Sequence, residues 1–161
     1  MSDTYIIQKI KDRFGDAVQE DHNFRGDQTV TLSRDKIVEV TQFVKDDPSL
    51  AMNFLMDLTA VDYMDRKPVR FEVVYHFYSL KHNHRVRIKV PVDEEDCIVD
   101  SLVPLYKSAN WFEREVWDLY GIKFKGHPNL KRILLYEGFK GHPLRKDYPI
   151  NKRQPLIGPI N

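Results

Sequence analysis

Two stretches of strict alternation fix the centre of whatever this chain builds. From Val69 to Leu80, the residues Val69, Phe71, Val73, Tyr75 and Phe77 alternate with Arg70, Glu72, Val74, His76 and Tyr78. From Arg85 to Val92, Val86, Ile88 and Val90 alternate with Arg85, Arg87 and Lys89. Successive side chains of a strand point to opposite faces, so the second stretch divides into an apolar and a basic face, and the first into an apolar and a mixed one. Only Lys81-His82-Asn83-His84 separates them, which predicts an antiparallel hairpin lying on a core. Pro91 has no backbone donor and predicts a sheet edge or the terminus of its strand.

Other elements arrange themselves around that hairpin. Ile6, Ile7, Ile10 and Phe14 recur at helical spacing, with Asp3 or Thr4 as the cap and Gly15 as the stop. Val18 to Leu32 reads as two short strands joined by Arg25-Gly26-Asp27-Gln28. Ser33 caps a second helix with Ile37, Val40 or Thr41, and Val44 on its face, ended by Asp46-Asp47-Pro48. Asn53 to Tyr63 reads as a strand entering a buried sheet. Asp93-Glu94-Glu95-Asp96 suits the start of a helix running through Ile98 and Leu102 towards Tyr106, where the helix dipole favours negative charge. Trp111 to Tyr120 is a further helix, closed by Gly121 in the left-handed conformation. A short apolar element, Leu130 to Leu135, precedes the C-terminal turns. The expectation is an α+β domain over residues 1–149, a mainly antiparallel sheet flanked by helices, followed by an extended C-terminal arm at 150–161.

Length and charge exclude several function classes. With 161 residues the chain has one domain's worth of core. Its 24 acids and 25 bases nearly cancel, so no global field draws it to nucleic acid or an anionic membrane. One cysteine, Cys97, excludes an internal disulfide and a cluster held by several thiolates of this chain, and reads as a small buried hydrophobe. No run approaches the roughly 20 apolar residues of a membrane-spanning helix, and no basic leader is present at Met1-Ser2-Asp3-Thr4.

Chemistry-bearing residues crowd into 113–149. Glu115 and Asp118, three apart on a helix, share a face, as do Arg114 and Asp118 at four apart. Paired carboxylates suit general acid-base work; without a nucleophile or a phosphate cradle beside them, an ion-paired anchor for the Gly121 turn or for a partner's arginines is preferred. His127 and His142 each stand between a Gly and a Pro, which fixes the backbone and aims the ring; a turn histidine bonded to a carbonyl is the simpler reading. His82 and His84 share a hairpin tip and lack the spacing of a strong metal motif, so a solvated turn is preferred to a weak metal site. Arg145-Lys146-Asp147-Tyr148-Pro149 reads as an exposed docking strip.

Taken in order, Glu113-Arg114-Glu115, Asp118-Leu119-Tyr120-Gly121-Ile122, Phe124, Gly126-His127-Pro128, Leu130, Arg132-Ile133-Leu134 and Gly141-His142-Pro143-Leu144-Arg145-Lys146-Asp147-Tyr148-Pro149 resemble the signature of the 30 kDa subunit family of respiratory complex I, the proton-pumping NADH:quinone oxidoreductase. The match is close over 111–149; residues 1–110 agree in pattern and size. The resemblance implies a structural and assembly subunit without a cofactor of its own. Iron-sulfur clusters and FMN would belong to partner subunits, and the neighbours would be the quinone-site subunit and iron-sulfur subunits. It implies a peripheral position on the cytoplasmic face of a bacterial inner membrane, with membrane association through partners only and no nucleic acid. Glu113, Arg114, Glu115, Asp118, Gly121, His127, Pro128, Arg132, His142, Pro143, Arg145, Lys146, Asp147 and Tyr148 would then be interface contacts or braces of the interface.

The chain departs from many relatives in ending soon after Tyr148-Pro149 and in being unfused to the quinone-site subunit; the absent transit peptide points to a bacterial or organelle-encoded protein. Two other readings stand beside this one. One is the equivalent subunit of a membrane-bound nickel-iron hydrogenase. The other is a free-standing hydrolase using Glu115, Asp118 and His127 or His142.

Overall fold

The computed structural model describes residues 4–155. The alternating hairpin forms as its pattern requires: Phe71–Ser79 and His84–Val92 pair antiparallel, with Tyr75 opposite Ile88 and Val73 opposite Val90. Numbering the strands in chain order, β1 is Val18–Phe24, β2 Asp27–Leu32, β3 Phe54–Asp62, β4 Phe71–Ser79 and β5 His84–Val92. They make one five-stranded sheet in the order β1-β2-β5-β4-β3. Three of its four junctions are antiparallel; β2 runs parallel to β5, with Val30 beside Ile88. Asn53–Tyr63, expected to be a strand in a buried sheet, supplies β3 at the sheet's edge, buried on one face only.

Pro91 sits in the central strand β5 and marks no edge; it is the next-to-last residue of that strand, as the terminus alternative expects. It is tolerated because β2 stops pairing at Lys89, leaving Pro91 with a neighbour on the β4 side alone, opposite Glu72.

Helices α1 (Tyr5–Phe14), α2 (Ile37–Asp46) and α3 (Ala109–Tyr120) close over one face of the sheet. Ile6, Ile7 and Ile10, then Val40 and Val44, then Val116 join Val73, Tyr75, Phe77, Ile88 and Val90 in a single core. The cap of α1 is not the Thr4 side chain. Its first N–H groups, those of Ile6 and Ile7, are met by Gln28 Oε1 at 2.9 and 3.2 Å. Asp3, the alternative cap, lies outside the described residues. Ser33 does not cap α2 through its side chain either; a short 3-10 turn at Arg34–Lys36 leads into the helix.

The helix expected from Asp93 to Tyr106 does not form. Cys97-Ile98-Val99 suits a strand, and Pro104 would clash within a helix. Ile98–Asp100 becomes β6, paired in parallel with β7 (Lys123–Lys125). The acids meant for the helix start are drawn elsewhere: Asp96 pairs with Arg34 at 2.5 Å and Glu94 with Arg70 at 2.6 Å. Leu130 to Leu135 is likewise no regular element; the amides of Ile133, Leu134 and Leu135 are spent on one side chain of α3.

Candidate functional site

The sheet and α3 place the unusual segment on one side of the molecule. Ala109, Glu113 and Val116 form the buried stripe of α3, so a carboxylic acid sits where the period calls for an apolar residue. Glu113 is fully buried; its oxygens meet Ser101 Oγ at 2.6 Å and the Leu102 N–H at 2.7 Å. Burial pushes its carboxyl up to about 7, against the lowering effect of those two contacts.

One turn further on, Asp118 organises everything that follows. It is also fully buried. Oδ2 accepts the N–H groups of Ile133, Leu134 and Leu135 at 3.1, 2.9 and 2.9 Å, while Oδ1 takes Arg132 Nη1 at 2.6 Å. Burial by itself would raise this carboxyl; the Leu135 amide, Arg132 and the other two amides outweigh it and hold the group below the usual range. Arg132 also donates to the carbonyls of Phe139 and Gly141 at 2.8 and 3.0 Å. Asp118 therefore pairs with Arg132, and not with Arg114 one turn away. Arg114 donates instead to the carbonyls of Lys131 and Arg132 at 3.0 and 2.8 Å. Glu115 points to solvent, so the two carboxylates expected to share a face do not form an acid-base pair.

The C-terminus of α3 explains the second half of the motif. A helix leaves its last four carbonyls without helical donors. Here all four are met. Gly121, at φ +80°, returns its N–H to Trp117 at 2.8 Å. His142 Nδ1 donates to Asp118 at 3.0 Å, Leu144 N–H to Leu119 at 3.0 Å, and Arg145 Nε to Tyr120 at 2.6 Å. Gly-His-Pro-Leu-Arg is thus a capping strap laid across a helix end, and its arginine puts positive charge against the negative end of the dipole. Burial, and the nearby Arg145 and Arg132, keep the His142 ring below its ordinary value and neutral.

Downstream, Lys146 N–H donates to Asp62 Oδ2 at 2.8 Å and Asp147 pairs with Arg70 at 2.7 Å. Arg70 is held at the same time by Asp62 at 3.0 Å and Glu94 at 2.6 Å. The strip expected to be exposed is so at Lys146, Asp147 and Pro149, whereas Arg145 and Tyr148 are half-buried braces. Tyr148 lies against Gly141, and its hydroxyl accepts from Gln154 Nε2 at 2.9 Å. Gln154 brings the described part of the arm back onto Lys140, which it bonds at both backbone groups.

His127 takes the turn-histidine role: Nε2 donates to the Asn110 carbonyl at 3.1 Å and Nδ1 accepts the Asn129 N–H at 3.0 Å. Pro128 beside it is exposed, and Pro143 is half-buried within the strap. His82 and His84 meet the carbonyls of Pro48 and Leu50, each at 2.8 Å. Among the described residues, no three His, Cys, Asp or Glu side chains gather as metal ligands, and no helix is long and apolar enough to cross a membrane.

Sequence reasoning passed over Asp62 and Arg70, which fasten the strip at Lys146 and Asp147 to the sheet. A signal was present: Asp62 continues the buried face of Leu58 and Ala60, where an acid demands a cation.

Comparison with known proteins identifies the family. Residues 30–154 match the family described as Respiratory-chain NADH dehydrogenase, 30 Kd subunit. A relative from Citrifermentans bemidjiense, named as a subunit of NADH-quinone oxidoreductase, is 46% identical over 157 residues, 96% of each chain; its namesake from Geobacter sulfurreducens is 43% identical over the same share of both. Among solved structures, the trypsin-resistant fragment (1-134) of Nqo5 superposes with a TM-score of 0.68 at 32% identity, covering 78% of this chain and 99% of the fragment. Signature, fold and identity over 96% of the chain converge, and the chain belongs to the 30 kDa subunit family of the respiratory-chain NADH dehydrogenase.

Proposed function

We propose that the chain is a structural and assembly subunit, with no cofactor of its own, in the peripheral arm of an NADH:quinone oxidoreductase. The observation that carries this reading is identity of 43–46% over 96% of the chain with proteins named as subunits of NADH-quinone oxidoreductase. In this reading FMN and the iron-sulfur clusters reside in partner subunits, and the surface built by α3, the strap and the arm docks on the quinone-site subunit and its iron-sulfur neighbours. The chain reaches the cytoplasmic face of the membrane through those partners. Its contribution to electron transfer is mechanical: a rigid surface keeps carriers of other subunits in register.

Geometry supports this division of labour. The charges of the motif are used to tie loops to α3, as in Asp118 with Arg132 and three amides. The hydrolase reading needs Glu115 and Asp118 to act together, and one faces solvent while the other is buried and saturated with donors. The hydrogenase reading finds no comparable support, since the relatives above are named as NADH-quinone oxidoreductase subunits.

The test is affinity purification of the tagged chain from its own host after mild detergent extraction of membranes. Co-purification of cluster-binding and quinone-site subunits with NADH:quinone activity is the expected result. Nickel-iron hydrogenase subunits in their place, or a lone chain, would overturn it.

A further inference from the structure

A groove of about 480 Å3 runs between α3 and the segment 130–137, floored by Trp117, Leu130 and Leu135. Arg114 is one of its walls. Two of its nitrogens are occupied by the carbonyls of Lys131 and Arg132, and its guanidinium lies 5.3 Å from the centre of the Trp111 ring. Carbonyls fix a guanidinium without cancelling its charge, and a planar, immobilised fork is what recognises a carboxylate well. The contrast with Arg132 is direct, because Arg132 is neutralised by Asp118 at 2.6 Å. Among the described residues, neither Arg114 nor Lys131 has an ion-pair partner. Glu137 is the single acid among the groove's described lining, so the site carries net positive charge.

Apolar surface is exposed on the same structure. Trp111, which carries the Arg114 guanidinium, and Leu134 on the segment across the groove are each 61% exposed. A large aromatic and an arginine held together are the residue types that dominate protein interfaces.

We propose that this groove receives an acidic, apolar segment of a partner protein subunit, with a carboxylate between Arg114 and Lys131 and an apolar side chain on Trp117, Leu130 and Leu135. The inference rests on the reading of the chain as a docking subunit and adds the chemistry of one contact. Charge selects the occupant, since a net positive groove, whose two unpaired cations Glu137 offsets only in part, beside an apolar floor favours an acid flanked by an apolar residue over a basic or purely polar segment.

The experiment uses the intact complex. A zero-length carbodiimide joins amines to carboxylates in direct contact, so Lys131 should be recovered by mass spectrometry linked to an acidic peptide of another subunit. Lys131→Glu combined with Trp111→Ala removes no side-chain hydrogen bond or ion pair, and Arg114 keeps its two carbonyl bonds when the Trp111 ring is lost, so the isolated variant should keep its thermal midpoint within a few degrees. Co-purification of partner subunits should fall about tenfold or more, equivalent to roughly 1.4 kcal/mol. Undiminished assembly of the variant, with normal assembly of the unaltered chain, overturns the groove and leaves the functional reading standing. A link from Lys131 to a second copy of this chain also overturns it, by assigning the groove to self-association. If the unaltered chain co-purifies with no other subunit, the functional reading and the groove fall together.

Discussion

His142 lies so close over Gly121 that a methyl group at 121 would meet its Cδ2 at 2.7 Å and its Nε2 at 2.8 Å. That approach is what lets the strap reach the end of α3: the ring passes across the glycine to bond the Asp118 carbonyl at 3.0 Å. The helix end and the strap are therefore complementary parts of one cap, separated in sequence by 20 residues that form β7 and the Asp118-bound loop.

Gly121→Ala should be costly for two separable reasons. The left-handed backbone at φ +80° costs an alanine about 1–2 kcal/mol, and the clash with His142 adds to this. Urea denaturation should show the larger loss in the native background and a smaller one beside His142→Ala, where the backbone cost and the 3.1 Å approach to Arg145 Nη2 remain. Equal losses in the two backgrounds would mean that the ring is free to move aside.

Asp118→Asn keeps the shape of the side chain but replaces a four-donor acceptor with a neutral amide and leaves Arg132 unpaired. Breaking a buried pair in this way costs on the order of 3–5 kcal/mol. Limited proteolysis should then cut first within 131–145, because three amides and the Arg132 tether are released together. Cleavage elsewhere at the same rate would show that the loop is held by other means.

The strap separates two neighbouring cations. Arg145 donates to the Tyr120 carbonyl at 2.6 Å and lies 5.0 Å from the Phe71 ring centre, whereas the Lys146 side chain is exposed. Arg145→Ala should lower stability by about 1.5–3 kcal/mol, the scale of a lost hydrogen bond to a charged group. Lys146→Ala should stay within about 0.5 kcal/mol, as surface substitutions do. Thermal melts of the isolated domain decide it, and the reverse ranking would place Lys146 inside and Arg145 outside.

Periodicity gave the sheet hairpin, α1 and α2, because in each a repeating apolar face meets the same core; α3 was legible from its Gly121 stop, since its buried stripe includes Glu113 and Asp118. It misread 93–106, where acids that resemble a helix start are ion-pair partners of Arg34 and Arg70, residues far away in sequence. The site was legible as a motif but not as a mechanism. That Asp118 chooses Arg132 over Arg114, or that His142, Leu144 and Arg145 cap three successive carbonyls, depends on how the chain folds back after Gly121, and local spacing carries no record of that path.

Glu113 makes a pH prediction whose sign is opposite to that of the other buried carboxylates. Its folded-state value of about 7 lies above the ordinary 4.5, so the folded chain binds this proton more tightly than the unfolded chain. Its contribution is complete below 4.5, declines as pH rises and is lost above 7; the interval is worth roughly 3 kcal/mol. Asp118, Asp62 and Asp147 are held low and lose their contributions only as pH falls through their depressed values, outside this window. His142 is also held low, which favours the folded chain as pH rises through 6.5 and would mask the trend in a single profile. The difference between the native chain and Glu113→Gln removes that term. Glutamine suits the site: its oxygen can accept the Leu102 N–H as Glu113 does, and its amide can donate to Ser101 Oγ, a hydroxyl that accepts as readily as it donates to Glu113. Urea denaturation at pH 5 should therefore find the two proteins similar, and at pH 8 the glutamine variant should be the more stable. A constant difference across pH 5–8 would mean that Glu113 does not change its protonation in this range.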